Sequence, residues 1–531
     1  HSDTHNQYNP TNRILMILHK RIVITGFTAI CIFCSCQPKS MPENPNIIII
    51  MADDLGYGDV GAYGAKKENV KTPNIDKLAE GGLKFTSGYC SASTCTPTRY
   101  SFLTGSYAFR ESNTGIAPPN APAIIKPGTE TIASLLKKAG YKTAVIGKWH
   151  LGLGGPEGPD WNGDLKPGPR EIGFDFNFLL PTTNDRVPQV YVQNHRVKNL
   201  DPSDPLWVGH EKPSEKHPTG ITHRNTLRMN WNDGHNNTIH NGIGRIGFYT
   251  GGHMARFRDE DLADEWQRQA NKWIEENKDN PFFLFFSSHD IHVPRMPHER
   301  FQGKSGMSYR GDAIVQLDWN VGEIMKTLDR LNLKKNTLVI FVSDNGPVLD
   351  DGYDDFANEQ LGDHKPAGPY SGGKYTVREG GTRIPFITYW ENIIQPGISK
   401  EMVSTIDLPA SMAALTGIDL PNDGVLDSFN VLDALLGKRG AKGRQYIVSQ
   451  DNGRKGNYGL RDGNWKLQRH DAKRMYNGDL SMDSWTVPQY TLFNLDKDIA
   501  EANDVSKDYP QITERLKDQL QSIIDRGKTR F

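Results

Sequence analysis

The sequence predicts an α/β protein: a large, mostly parallel central sheet flanked by helices, followed by a small C-terminal α+β domain. Three observations carry this. Ile47-Ile48-Ile49-Ile50-Met51 is an apolar run without alternation, which marks a strand buried on both faces, as parallel sheets require. Similar runs recur between stretches of helical periodicity, so strands and helices alternate. Past Leu436 the pattern breaks into short strands separated by turn residues.

In chain order, Thr72-Pro73 opens a helix with Ile75, Leu78 and Ala79 on one face, proline suiting its first position. Thr131–Lys138 is helical up to Gly140, and the strand Thr143–Ile146 follows. Asp259–Asn277 carries Leu262, Trp266, Trp273 and Ile274 at helical spacing ahead of the strand Phe282–Phe286. Ile314, Leu317, Val321, Ile324 and Leu328 mark a helix before the strand Leu338–Val342, and Ile384–Tyr389 is a further strand. The polar stretch Gly152–Arg258 is weakly periodic and is expected to form long loops walling a site, with Trp161, Arg224, Arg228, Trp231, His235, His240 and Arg245 as its aromatic and cationic side chains. Tyr446-Ile447-Val448, Tyr458-Gly459-Leu460, Trp465-Lys466-Leu467 and Leu492-Phe493-Asn494 are the C-terminal strands, closed by a helix over Ile512–Ile524. The expected division is 1–36, 37–436 (the main domain) and 437–531 (an antiparallel-sheet subdomain with its closing helix).

Composition narrows function. The 531 residues carry 62 Lys+Arg against 63 Asp+Glu, a net charge of −1, so no basic excess exists to bind nucleic acid. Five cysteines are too few for a disulfide scaffold, and Cys31, Cys34 and Cys36 cluster at one apolar run. That run, Ile22 to Cys34, follows His19-Lys20-Arg21 and is shorter than the ~20 residues of a membrane span. It suits a secretory signal, with Met16 as a plausible start. A small residue before Cys36 resembles a bacterial lipoprotein processing site. The expectation is export with acylation at Cys36, or ordinary secretion with cleavage nearby.

Four apolar strands release polar residues where they end: Asp53-Asp54, Gly147-Lys148-Trp149-His150, His289-Asp290-Ile291-His292 and Asp344-Asn345-Gly346. Ligands of parallel sheets bind beyond such ends. Acidic residues there often only cap the next helix, but four ends favour one shared site. Asp53, Asp54, Asp344 and Asn345 offer only oxygen, which suits a hard cation, Ca²⁺ or Mg²⁺, over zinc. Three converging carboxylates would otherwise repel one another. Cys95 precedes Pro97 and a helical stretch, and so stands where free N–H groups and the helix dipole favour an anion. A buried structural cysteine or a disulfide with Cys90 is the plainer alternative.

C-T-P-T-R-Y-S-F-L-T-G resembles the signature of the formylglycine-dependent type I sulfatases, members of the alkaline phosphatase superfamily. I-I-I-I-M-A-D-D-L-G-Y-G-D, G-K-W-H-L-G, H-D-I-H-V-P, S-D-N-G and G-G-K-Y-T-V-R-E-G-G-T-R-I-P resemble the family's other motifs in its order. L-R-D-G-N-W-K-L and L-F-N-L-D-K-D resemble its second domain. The likeness spans about Pro45 to Arg526. Thr98 departs from the more usual Ser or Ala but leaves Cys95, Pro97 and Arg99 intact.

The resemblance implies an alkaline-phosphatase-like fold in which Cys95 is oxidised to formylglycine, whose hydrate is the nucleophile. It implies that Asp53, Asp54, Asp344 and Asn345 hold a cation, calcium ahead of magnesium, with residue 95 completing the shell. Arg99 and Lys148 would bracket residue 95 and the sulfate, His150 would contact the second hydroxyl, and His292 with Lys374 would face the leaving oxygen, His292 as general acid. His289 either lines the substrate pocket or hydrogen-bonds a neighbouring loop.

The expected function is hydrolysis of sulfate esters on a sulfated poly- or oligosaccharide, by a protein of the periplasm or outer membrane tethered through lipid alone. A formylglycine-generating enzyme or radical maturase would be its partner. The rivals are a formylglycine-dependent phosphodiesterase or phosphonate monoester hydrolase, and a non-catalytic glycan-binding lipoprotein on the same scaffold.

Overall fold

The apolar strands assemble into one ten-stranded sheet. In chain order its strands are β1 (Asn46–Ala52), β2 (Leu83–Tyr89), β3 (Lys142–Lys148), β4 (Phe176–Leu180), β5 (Val192–Gln193), β6 (Arg196–Val197), β7 (Phe282–Ser287), β8 (Thr337–Ser343), β9 (Phe386–Tyr389) and β10 (Gly397–Ser404). Their spatial order is β10-β2-β9-β8-β1-β7-β3-β4-β5-β6. The centre, β8-β1-β7-β3-β4, is parallel throughout. β9 runs antiparallel to both its neighbours. The computed structural model describes residues 41–452, 456–471, 476–477, 482–483 and 487–530. The expected signal segment and the acylation site Cys36 lie outside them.

All of β1 is buried because alternate side chains enter different layers. Ile47, Ile49 and Met51 join one apolar cluster, while Ile48, Ile50 and Ala52 join the other. Helices α1 (Pro73–Gly81), α4 (Leu262–Asn277) and α5 (Ser308–Arg330) cover the second face through Ile75, Trp266 and Leu317. Helices α2 (Cys95–Thr104), α3 (Ile132–Lys138) and α6 (Leu408–Thr416) cover the first through Phe102, Leu136 and Met412. Thr131 stands just outside α3 as its N-cap, accepting from the Ser134 N–H at 3.1 Å.

The stretch after Gly152 is more than loops. Its Phe176–Leu180 is a strand of the central sheet, and Leu165, Ile172 and Phe174 join the first-face core. Asn177 interrupts the apolar run and hides the strand, yet it is buried and bonds Asn194 O at 3.1 Å.

The C-terminal sheet joins Tyr446–Gln450, Tyr458–Asp462, Trp465–Arg469 and Tyr490–Asn494, all antiparallel, under the helix Pro510–Asp525. It shares a core with Tyr107, Phe109 and Ile406, and Met41–Phe531 form one compact unit. Its first strand also reaches the loop ahead of Cys95: Ser93 N–H donates to Gln450 O at 2.9 Å and Thr94 Oγ1 to Asp451 O at 2.9 Å.

Just beyond Asp53-Asp54, buried Asp59 accepts from Arg310 Nη1 and Nη2 at 2.8 and 2.7 Å, lies 2.8 Å from His364 Nε2 and anchors Gly56 N–H. Burial pushes its carboxyl up, but Arg310 and His364 hold it well below the usual carboxylate range. Removing one partner leaves a buried charge unpaired, so Arg310→Ala is expected to lose about 3–5 kcal/mol of unfolding free energy in a urea titration. Because the folded pKa is depressed, the ion pair's stabilisation is present above about pH 4 and fades only as pH falls below it.

Candidate active site

β8, β1, β7 and β3 are adjacent and parallel, so their carboxyl ends open on one edge, and the four polar strand ends meet there. Asp53 N–H donates to Asp290 O at 2.8 Å, Ile291 N–H to Asp53 O at 2.6 Å, and Asp54 N–H to Asp344 Oδ1 at 3.1 Å. Gly147 has φ 113°, and a Cβ there would stand 1.8 Å from Ser287 O, so only glycine closes β3 on β7. Asp54 (φ 59°), His150 (φ 56°) and Tyr375 (φ 73°) all adopt left-handed backbone, a strain that persists where the surroundings enforce it.

Cys95 is the first residue of α2, with Thr94 as N-cap, rather than lying just ahead of the helix. It is 2 % exposed and free, as is Cys90, so no disulfide joins them. Its Sγ lies 3.6 Å from Asp53 Oδ1, and ligand atoms of Asp53, Asp54, Cys95 and Asp344 all lie within 4.8 Å of one another. Burial, with Asp344 and Asp53, pushes the Cys95 thiol well above its ordinary pKa despite Lys148. As encoded it is a protonated thiol, a weak nucleophile.

Cations surround this cluster. Arg99 donates to Asp344 Oδ2 from Nε and Nη2 at 3.1 and 2.9 Å, and to Ser287 Oγ at 2.6 Å. Lys148 Nζ meets Asp53 Oδ2 at 2.5 Å, while Lys374 Nζ bridges Asp54 Oδ2 and Asp351 Oδ2, each at 2.8 Å. Each carboxylate thus has a cation in the fold, and repulsion alone does not demand a metal. Two other observations fit one. Asn345 Oδ1 is buried without a partner, while its amide donates to Asp54 Oδ1 at 2.8 Å. Burial and Asp344 also leave the Asp53 carboxyl well above its ordinary pKa despite Lys148. A hard cation among these oxygens answers both. Asp54 needs less help: burial raises it, but Lys374 and Lys148 bring it below its usual value.

The two site histidines are neutral. Burial and Lys148 lower both pKa values far, helped by Arg186 at His150 and by Lys374 at His292. His150 Nε2 lies 3.0 Å from Ala117 O, a carbonyl that can only accept, which leaves Nδ1 as a buried acceptor without a partner. His292 Nδ1 faces Val293 O at 2.6 Å, which turns its unprotonated Nε2 toward Asp54 Oδ2 at 3.9 Å.

Other expected residues fall elsewhere. His289 accepts from Trp266 Nε1 at 3.1 Å and lies 3.5 Å from Asp290, so its ring is held by the helix α4 and not by a neighbouring loop. Of the expected substrate wall, Arg245 is fully buried on Asp259, His240 is fixed between Phe257 O and Tyr249 Oη, Trp161 is bonded to Asn120, and Arg228 pairs with Glu260. Arg245, His240 and Trp161 are buried in these internal bonds, whereas Arg228 stays half exposed. His235 does reach the site's flank, 3.0 Å from Asp185 Oδ2. Asp185, Arg186, Asp351 and Tyr375 went unrecognised. Asp351 is the one with a visible signal, an acidic run soon after Asp344-Asn345-Gly346.

An edge that gathers hard oxygen ligands and three cations around one helix-start side chain is built for an anionic ester, and on this sheet it defines a hydrolase of the alkaline-phosphatase-like superfamily. The sulfatase family model matches residues 45–418. N-acetylgalactosamine-6-O-sulfatase of Bacteroides thetaiotaomicron is 46 % identical over 97 % of this chain and 99 % of its own. Human arylsulfatase A is 34 % identical over 80 % and 74 %. A solved Bacteroides thetaiotaomicron structure, described as a 6S-sulf protein in work on the metabolism of multiple glycosaminoglycans, superposes with a TM-score of 0.88, covering 91 % of this chain and 100 % of its own at 46 % identity. The chain belongs to the sulfatase family and is a sulfuric ester hydrolase.

Proposed function

We propose that the protein is an exported, calcium-dependent carbohydrate sulfatase that carries formylglycine at position 95 and removes 6-sulfate from N-acetylgalactosamine units of a sulfated glycan. Cys95 set among Asp53, Asp54 and Asp344 with Arg99, Lys148 and Lys374 around it is the observation that carries the chemistry. The sugar rests on the likeness to the N-acetylgalactosamine-6-O-sulfatase. Export with acylation at Cys36 rests on the sequence ahead of Pro38.

Asp53, Asp54, Asp344 and Asn345 would hold the calcium, which supplies charge against the sulfate oxygens. Formylglycine at position 95 would supply, as its hydrate, one hydroxyl for nucleophilic attack and a second for release of the sulfate. The chain's own groups do the rest. Arg99 and Lys148 flank residue 95 and fix the sulfate by charge-assisted hydrogen bonds. The bare Nδ1 of His150 would take a proton from residue 95. His292 takes up a proton as the anionic ester offsets the field of Lys148 and Lys374, and gives it to the departing sugar oxygen.

Charge supports a monoanionic ester. With Asp53 ionised, Asp53, Asp54, Asp344 and Asp351 exceed Arg99, Lys148 and Lys374 by one negative charge. A divalent cation reverses that to one positive charge, which a sulfate monoester neutralises and a phosphate monoester dianion overshoots. A phosphodiester shares the single charge, so turnover of 6-sulfated N-acetylgalactosamine, an aryl sulfate and an aryl phosphodiester is the deciding comparison. Preference for the phosphodiester would overturn the sulfatase reading.

The leaving sugar would meet Asp185, Arg186 and His235. Asn184 Nδ2 donates to His292 O at 3.2 Å and Pro294 O at 3.1 Å, holding their loop against His292, and Arg186 Nη1 meets Asp185 at 2.9 Å. A hydrogen bond to a charged group contributes about 1.5–3 kcal/mol, so Asp185→Ala is expected to raise KM for the sugar sulfate about 10- to 150-fold. An aryl sulfate, which has no sugar hydroxyls, is expected to keep its KM in steady-state kinetics.

A further inference from the structure

Of Arg99, Lys148 and Lys374, Lys374 alone is carried by a loop rather than by α2 or β3, so its position depends on what holds residues 371–376. Three backbone bonds pin the loop: Lys374 N–H to Pro347 O at 2.9 Å, Tyr375 N–H to Ser93 O at 2.9 Å and Gly380 N–H to Ser371 O at 2.7 Å. Tyr375 is a bulky residue in left-handed backbone, which holds only under external restraint. The restraint comes from a short helical turn, Glu379–Thr382, pressed so close that a Cβ on Gly381 would stand 2.0 Å from Thr376 O.

The C-terminal unit grips that turn. Lys466 Nζ meets Glu379 Oε1 at 2.9 Å, while Tyr89 and Arg383 donate to Oε2 at 2.5 and 3.1 Å. Glu501, 1 % exposed and itself left-handed (φ 53°), accepts from Glu379 N–H at 2.7 Å and from Ser371 Oγ at 3.3 Å, while Gln468 Nε2 donates to its other oxygen at 2.7 Å. Arg378 Nη1 adds bonds to Glu501 O and Ser371 Oγ, both at 3.0 Å. One buried carboxylate therefore holds both ends of the segment that carries Lys374.

We propose that Glu501 is a positioning residue for catalysis, through which the C-terminal sheet sets where Lys374 stands against the leaving oxygen. This rests on the sulfatase reading of Lys374 given above. The groups packed on Glu501 also make the hold pH-dependent. Glu379, Arg378 and Lys466 face it, Arg383, Arg461 and Tyr89 surround Glu379, and His470 lies beside Arg378. Burial and Glu379 push the Glu501 carboxyl up to about 7 against the pull of Lys466. Below that pH a neutral Glu501 sits beside the Glu379 carboxylate. Above it two buried charges repel and the hold loosens.

The test compares wild type, Glu501→Ala and Glu501→Gln on the sugar 6-sulfate and on an aryl sulfate, from pH 5.5 to 9, with thermal melts alongside. The aryl leaving group departs with little help, whereas the sugar alkoxide needs Lys374 in place. Glu501→Ala is expected to lower kcat on the sugar sulfate about 10- to 100-fold, the scale of an ångström-level misplacement, with less than ~3-fold loss on the aryl sulfate. Glu501→Gln, a neutral isostere, is expected to restore most of that and to remove the wild-type decline in kcat above about pH 7. If Glu501→Ala does not fold, the Glu501→Gln profile decides alone: a flat profile supports the inference and an unchanged alkaline decline overturns it. Equal loss on both substrates overturns it as well. A wild type inactive on every sulfate overturns the sulfatase reading and the inference with it, whereas an active wild type with no discrimination between substrates overturns only the inference.

Discussion

Cys95→Ala is expected to lower kcat by at least about 10⁴-fold, the scale seen when a nucleophile is removed from a preorganised site. Cys95 is close to Asp53, Lys148 and Asp344, so alanine leaves the four oxygen-bearing residues and the three cations in place and removes the attacking atom together with residue 95's own contact to the proposed cation. Affinity for the sulfated sugar is expected to survive in a binding isotherm while turnover vanishes. Cys95→Ser sharpens the point. A lone hydroxyl can receive one sulfuryl group but has no second hydroxyl to expel it. The serine variant is therefore expected to stop after at most one turnover, leaving an adduct of about 80 Da on residue 95 in intact-protein mass spectrometry. Sustained turnover by either variant would refute a nucleophile at this position.

Chelation is expected to have the second-largest effect. Asn345 Oδ1 is buried without a partner and burial with Asp344 holds the Asp53 carboxyl well above its ordinary pKa, so the proposed cation would complete the site as well as supply its chemistry. Treatment with a calcium chelator followed by dialysis is expected to remove nearly all activity and lower the melting temperature. Calcium at about 100 times its Kd is expected to return about 2.7 kcal/mol of stability by mass action. Recovery with calcium and weak recovery with magnesium would fit a set of carboxylate and amide oxygens that leaves magnesium little of the water it keeps. Full activity after exhaustive chelation would exclude the proposed cation.

The edge of the sheet was legible because strand burial and strand-end chemistry are local. Four apolar runs could be seen to end in Asp53-Asp54, Lys148…His150, His289…His292 and Asp344-Asn345, and parallel pairing brings those ends together without further information. Loops carry no such periodicity. Asp185, Arg186 and Glu501 reach the site or its supports through long excursions, and nothing in their immediate neighbours announces it, whereas Asp351 follows Asp344-Asn345-Gly346 closely in an acidic run. Burial is equally hidden: Arg245 and His240 read as side chains of a substrate wall until Asp259 and Phe257 are seen to hold them. Strands at the sheet's margins were lost for a related reason. β10 is an edge strand whose polar Gly397–Ser404 sequence is largely exposed at its start, and β4 is broken by a buried asparagine.

The most direct test is the mass of the tryptic peptide spanning Cys95, taken from a preparation that turns over a sulfate ester. Conversion of the thiol side chain to an aldehyde removes about 18 Da by stoichiometry, and the active fraction is expected to carry that loss. Full turnover by protein whose residue 95 retains the mass of an unmodified cysteine would contradict it.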